Sequence, residues 1–431
     1  MRLLHTSTHI LETFLSHKKP RYAILSHTWG EDEILYQDVQ SSAWKSTTEK
    51  RSKAGADKVI RSCLQAKEDG LDYIWIDTCC IDKNSSAELS EAINSMFKWY
   101  AESDVCYAYL SDLTRDRRQV FDRAPADFST SRWFTRGWTL QELIAPQNVV
   151  FFDRTWHILG TRDGMATEIA RITSIDRAVL SRSLHEKGCY EEDQSRQTRP
   201  SGDGCISCGQ GLSIKHLLPS FPVATRMSWA ANRETTRLED EAYCLLGLFA
   251  VHMPLLYGEG SNSFQRLQEE ILRTTTDHSI LAYEHRSKSV SRMVPLLASS
   301  PYDFRNCGQL CFSQSSWQLK SEIVLTNKTA RLSVPLCAIN VNERGEGIYM
   351  AILDCVYGFD FISRPAIILK TYGPAGDDIA GYVRINHEGH SVKRIATSPR
   401  GIEYATATPD LSPLSRSYSE HTTESGKLVP M

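Results

Sequence analysis

Four short strings hold the side chains in this sequence that could do chemistry. Ser26-His27-Thr28-Trp29-Gly30 joins hydroxyls, an imidazole and an indole. Asp77-Thr78-Cys79-Cys80-Ile81-Asp82 supplies two carboxylates, a hydroxyl and two adjacent thiols. Ser111-Asp112 adds a third carboxylate, and the run from Arg136 through Trp138 to Glu142 adds a guanidinium, an indole and a fourth carboxylate. Arg132 and Arg136 could bind an anion, Trp29 could stack on a ring, and Cys80 with His27 as its base would make a cysteine hydrolase.

These strings can meet only if strands and helices carry them to one edge. Tyr22–Leu25 is a short apolar run, and residues 53–69 place Val59, Ile60, Cys63, Leu64 and Lys67 at helical spacing. Tyr73–Asp77 follows Gly70 as a second strand. Leu89, Ile93, Met96, Phe97 and Tyr100 mark a helical stripe behind a capping box, Ser85-x-x-Glu88. Val105–Leu110 and Val149–Phe152 complete the strands, with a short helix from Thr139 to Ala145 ended by Pro146. The alternation predicts a mainly parallel sheet with right-handed crossovers. In such sheets ligands bind beyond the carboxyl ends of the strands, where three of the four strings fall.

Each residue also has a local role open to it. Asp77 and Asp82 can cap turns, His27 can bond backbone in a tight turn, and Trp29-Gly30 can pack one. Cys79 and Cys80 can fill a core as small hydrophobes. Thr139-x-x-Glu142 can close a helix terminus, and both arginines can simply be solvated.

Downstream, residues 160–285 predict helices, among them Thr236 to Leu248 and Ser261 to Arg273. A polar, glycine-containing stretch at 186–213 interrupts them and is expected to be mobile. From about residue 290, short alternating runs such as Arg331–Cys337, Gly347–Leu353 and Ala366–Lys370 predict a β-rich domain. The expected division is therefore 1–155 α/β, 156–285 helical, 286–412 β-rich and 413–431 a disordered tail. Eight of nine tryptophans precede residue 230, which marks the first half as the aromatic-rich one.

Composition narrows the function. With 431 residues, 41% hydrophobic and 23% charged, the chain can bury a core without disulfides or metal. A net charge of −3 offers no broad positive field, so no nucleic-acid partner is expected. No apolar run approaches the roughly 20 residues of a spanning helix, and the N-terminus lacks an uninterrupted apolar signal core. No membrane span and a cytoplasmic location follow as expectations. Twelve irregularly spaced cysteines fit a reduced compartment. No metal is expected, since Cys205-x-x-Cys208 has no second pair at zinc spacing. The sequence contains no Walker loop, no G-x-G-x-x-G after the first strand, no H-E-x-x-H and no G-x-S-x-G.

Several long strings, taken in order, resemble the fungal heterokaryon-incompatibility (HET) domain: YAILSHTWG (Tyr22–Gly30), YIWIDTCCID (Tyr73–Asp82), CYAYLSDL (Cys106–Leu113) and SRWFTRGWTLQELIAP (Ser131–Pro146). RMSWAANRETTRLEDEAYCLLGLF (Arg226–Phe249), MPLLYGEG (Met253–Gly260) and FQRLQEEI (Phe264–Ile271) are similar to the helical region that usually follows it. The resemblance covers residues 1–285. It implies a role in fungal non-self recognition, innate immunity and programmed cell death. It also implies a core like the Toll/interleukin-1 receptor (TIR) fold, a flavodoxin-like, mainly parallel sheet with helices on both faces. Unlike larger members, these 431 residues carry no nucleotide-binding oligomerisation module and no WD repeats.

Some TIR domains cleave NAD at the nicotinamide–ribose bond, using a glutamate near the ribose. By that resemblance Glu142 is the first candidate for the catalytic carboxylate, Asp77 the second, and His27 completes the catalytic set. Ser26, Trp29, Cys80, Asp82, Arg136 and Trp138 are candidate substrate-binding residues, with Trp29 or Trp138 on the base and His27 or Arg136 on phosphate. No cofactor is expected; NAD enters as a candidate substrate. The implied partners are an allelic or NLR-type protein, or a second copy. The alternative is a non-catalytic module that signals by self-association or recruitment.

Overall fold

In the computed structural model the described residues are 1–15, 17–41, 44, 54–114, 125, 127–181, 213–286, 293–313, 323–325, 329–342, 346–358, 363–372, 381–387, 390–398, 401–403 and 427–430. All but the last residue of the 186–213 stretch, with Cys205 and Cys208, lies outside them. The chain divides into two compact units, residues 1–218 with 233–255, and residues 219–232 with 256–431.

The first unit is built on a seven-stranded sheet: β1 (Arg2–His5), β2 (Leu11–Thr13), β3 (Ala23–His27), β4 (Tyr73–Trp75), β5 (Val105–Leu110), β6 (Val149–Asp153) and β7 (Ile158–Thr161). Their order across the sheet is β2-β1-β4-β3-β5-β6-β7. The central four run parallel, as the apolar runs predict. Every residue of β3 is buried, the mark of a parallel strand covered on both faces. The added strands β1, β2 and β7 pair antiparallel. They are three or four residues long and too short for a periodic signal.

Helices flank the sheet: α1 (Tyr36–Ser41), α2 (Ala54–Glu68), α3 (Asp77–Cys80), α4 (Ser86–Ala101) and α5 (Thr139–Ile144). The buried stripe of α2 is Gly55, Ala56, Lys58, Val59, Ser62, Cys63 and Ala66, one step round from the predicted one. Small residues let this face approach closely: a Cβ on Gly55 would stand 1.9 Å from the carbonyl oxygen of Asp32. Ser85 caps α4 by accepting from the Glu88 N–H at 3.3 Å. The Glu88 carboxylate does not close the box; it turns to Arg2 and to the Asp82 N–H. Gly247 packs against Phe97 of α4, where a Cβ would be 2.0 Å from the ring's own Cβ.

The second unit is β-rich. A six-stranded antiparallel sheet runs from Leu336 to Glu403, with smaller sheets of three and two strands beside it. Its core gathers Cys337, Met350, Ile352, Ala366 and Ile395. Of the tail expected to be disordered, residues 413–426 and 431 lie outside the described residues, and Lys427–Pro430 form a strand against Thr329–Leu332. Among the described residues no helix is long and apolar enough to cross a membrane, and the cysteines carry free thiols.

Candidate functional site

The strand order reverses direction at β3. The chain crosses from β3 to β4 on one side, then returns to place β5 on the other. Two neighbouring crossovers that leave in opposite directions open a crevice beyond the strand ends. There, Trp29, Gly30, Glu31, Ser111, Asp112 and Arg132 line an open cleft of about 450 Å³. Asp112 accepts from the Ser131 hydroxyl and the Arg132 N–H, and the Arg132 guanidinium donates to the Trp29 carbonyl at 2.8 Å. This ties the loop after β5 to the loop after β3.

Trp29 links the cleft to a charged cluster behind it. It is 51% exposed, its indole N–H donates to Asp77 Oδ2 at 2.8 Å, and the Lys83 ammonium sits 3.3 Å over its ring. Asp77 opens α3, directly after β4. Burial raises its pKa against the opposing pull of Lys83 and the Trp29 hydrogen bond. His27 ends β3 with its Nε2 3.7 Å from Asp77 Oδ1 and 3.7 Å from Glu33 Oε2. Burial, then Lys58 and Lys83, hold the imidazole well below its ordinary pKa, so it is neutral at pH 7. Glu33 is anchored by Lys58 Nζ at 2.6 Å and by the Gly30 N–H at 2.7 Å.

Deeper still, Glu142 and Ser26 meet. The Ser26 hydroxyl donates to Glu142 and accepts from the Trp133 indole. Thr139 bonds the carbonyls of Trp133 and Arg136, so no capping box forms around Glu142. Burial pushes the Glu142 carboxyl up to about 8, against the Ser26 hydrogen bond; nearby Asp77 raises it further, while Tyr100 and Arg233 lower it. Glu142 is 7% exposed and is not among the residues lining the cleft. Arg233, from the segment 233–255, holds the entry of α5 by donating to the Arg136 carbonyl and to Thr139.

The remaining candidates stand apart. Cys80 is buried, accepts from the Ile76 N–H, and its thiol is pushed up to about 12 by burial. Neither ring nitrogen of His27 has a hydrogen-bond partner among the described residues, so the Cys80–His27 pair of a cysteine hydrolase does not form. Asp82 accepts from Asn84 N–H and Gln37, a turn cap. Arg136 reaches Thr236, and half-buried Trp138 precedes α5 without lining the cleft. Among the described residues no group of three or more His, Cys, Asp and Glu could hold a metal. Glu33, Lys58 and Lys83 were missed in sequence. For Lys58 a signal existed: a lysine three residues after Gly55 and one before Val59, inside the small and apolar stripe of a helix.

Residues 22–127 match the family described as heterokaryon incompatibility protein (HET). Residues 262–332 match a domain of unknown function, DUF8212. Vegetative incompatibility protein HET-E-1 of Podospora anserina is 42% identical over 262 residues, which span 59% of this chain and 16% of that protein. No solved structure matches.

Proposed function

Because this chain carries a heterokaryon incompatibility (HET) domain, we propose that it is an effector of vegetative incompatibility, acting in the cytoplasm and triggering cell death by hydrolysing a nucleotide, NAD foremost, at its glycosidic bond. The observation that carries this reading is Asp77, tied by a hydrogen bond to an exposed indole on the wall of a cleft at the sheet's switch point.

Cleavage at the anomeric carbon builds positive charge on the ribose, and a fixed carboxylate beside it lowers the barrier. Glu31 and Asp112 line the cleft itself; Asp112 is held by Ser131 and the Arg132 N–H, and Asp77 is the carboxylate tied to the cleft's indole. Trp29 offers a rigid face to a planar base, and Arg132 a guanidinium to phosphate. Glu142 is a positioning residue in this reading, acting through Ser26 rather than on substrate. The trigger is an allelic or NLR-type partner, or a second copy of the chain.

Purified protein incubated with NAD should release nicotinamide, and Asp77→Asn should cut turnover by roughly 10²-fold while the chain stays folded. Cell death that persists with Asp77→Asn on expression in a fungal host would replace the hydrolase with a non-catalytic module.

A further inference from the structure

Behind Trp29, two carboxylate oxygens approach one imidazole nitrogen without meeting it. The two 3.7 Å separations from His27 Nε2, to Glu33 Oε2 and Asp77 Oδ1, exceed the roughly 2.7–3.2 Å of a direct hydrogen bond. The His27 and Glu33 side chains are 1% and 7% exposed. Neither imidazole nitrogen, nor Glu33 Oε2, has a hydrogen-bond partner among the described residues. Buried polar groups are satisfied almost without exception, by protein or by bound solvent. The Asp77 side chain is 20% exposed, so the group opens on that side.

We propose that His27, Glu33 and Asp77 form a three-sided cradle for one water molecule at the foot of the cleft, and that Glu33 is the residue that positions it. The water's role rests on the hydrolase reading above; the cradle itself does not. A neutral imidazole with its proton on Nε2 donates to the water, and the water donates to the two carboxylates. Three hydrogen bonds is about the usual number for a buried water. Glu33 is aimed by its anchors: Lys58 and the Gly30 N–H occupy Oε1 and leave Oε2 turned to His27. Lys58 is delivered by α2, seated against the Asp32 backbone at Gly55. A cation is the poorer occupant. Lys58 already balances Glu33, and Lys83 acts on Asp77, so a divalent ion would face two ammonium groups. In hydrolysis, the water oxygen bonds to the ribose C1′ as the C1′–N bond breaks. The departing base keeps the bonding pair, and Asp77 takes the water's proton.

The test is a crystal structure of the full chain at a resolution that shows ordered water, with kinetics of Glu33→Gln beside it. Expected is a density peak within hydrogen-bond distance of all three atoms. Overturning results are no peak there, His27 Nε2 bonded directly to either carboxylate, or a peak at the roughly 2.1 Å of a metal ligand. With NAD, Glu33→Gln should lower kcat about tenfold at unchanged KM, and Glu33→Asp should recover part of it. Unchanged kcat in Glu33→Gln overturns the positioning role. If the wild-type chain does not turn over NAD, the hydrolase reading fails, and the density alone decides the cradle.

Discussion

In the second unit Arg384, 2% exposed, lies over the Tyr283 ring and donates to the carbonyls of Tyr283 and Leu296. Asp303, fully buried, accepts from the N–H and the hydroxyl of Ser299. In the first unit, the crevice buries His27, Glu33, Lys58 and Glu142 largely against other ionisable or hydroxyl side chains. Charge set on fixed backbone dipoles is structural. Charge set on other titratable groups is the arrangement that chemistry uses. The first unit holds both kinds: Arg162 donates to the carbonyls of Leu143, Pro146, Gln147 and Leu180.

The contrast can be broken by mutation. The largest effect is expected at Arg162. Arg162→Met strands four carbonyls and should cost about 4 kcal/mol of stability, read from urea denaturation. Asp77→Asn should act the other way round, losing roughly 10²-fold in nicotinamide release, about 3 kcal/mol of barrier, with its denaturation midpoint near that of wild type. If Asp77→Asn instead unfolds the chain, the two classes of buried charge are one.

Glu142 sharpens the comparison through pH. Its pKa rises from 4.5 unfolded to about 8 in the fold. Between those values the native chain keeps a proton that the unfolded chain releases, so stability falls as pH rises from 4.5 to 8 and levels off above. Glu142→Gln retains an acceptor for Ser26 without the charge. It should remove that slope, gaining on the order of 3 kcal/mol over wild type at pH 8 relative to pH 5. Parallel stability–pH curves for the two proteins would show that Glu142 is not held in its neutral form. Asp82→Asn, at a solvated turn cap, should change stability by no more than about 0.5 kcal/mol and leave turnover unchanged.

How much of this was legible depends on range. The four parallel strands stood out because each is a continuous apolar run. The strings at their ends stood out because polar residues interrupt such runs. The Glu142 pairing did not: its partner Ser26 is 116 residues away, and the local spacing suggested a capping box instead. Cys80 carried both a nucleophile and a core reading in sequence, and its burial favours the core, since only packing sets a thiol's exposure.

The amino-acid order alone determined the four parallel strands of the first sheet and which strand ends carry carboxylates, imidazole and indole, because periodicity and strand ends are properties of neighbouring residues. Tertiary structure decided which of those groups share a crevice. Strand order β4-β3-β5-β6 sets Trp29 over Asp77, and α2 brings Lys58 to Glu33. Whether a carboxyl is ionised depends on what else is buried with it, and that is known only once the chain has folded.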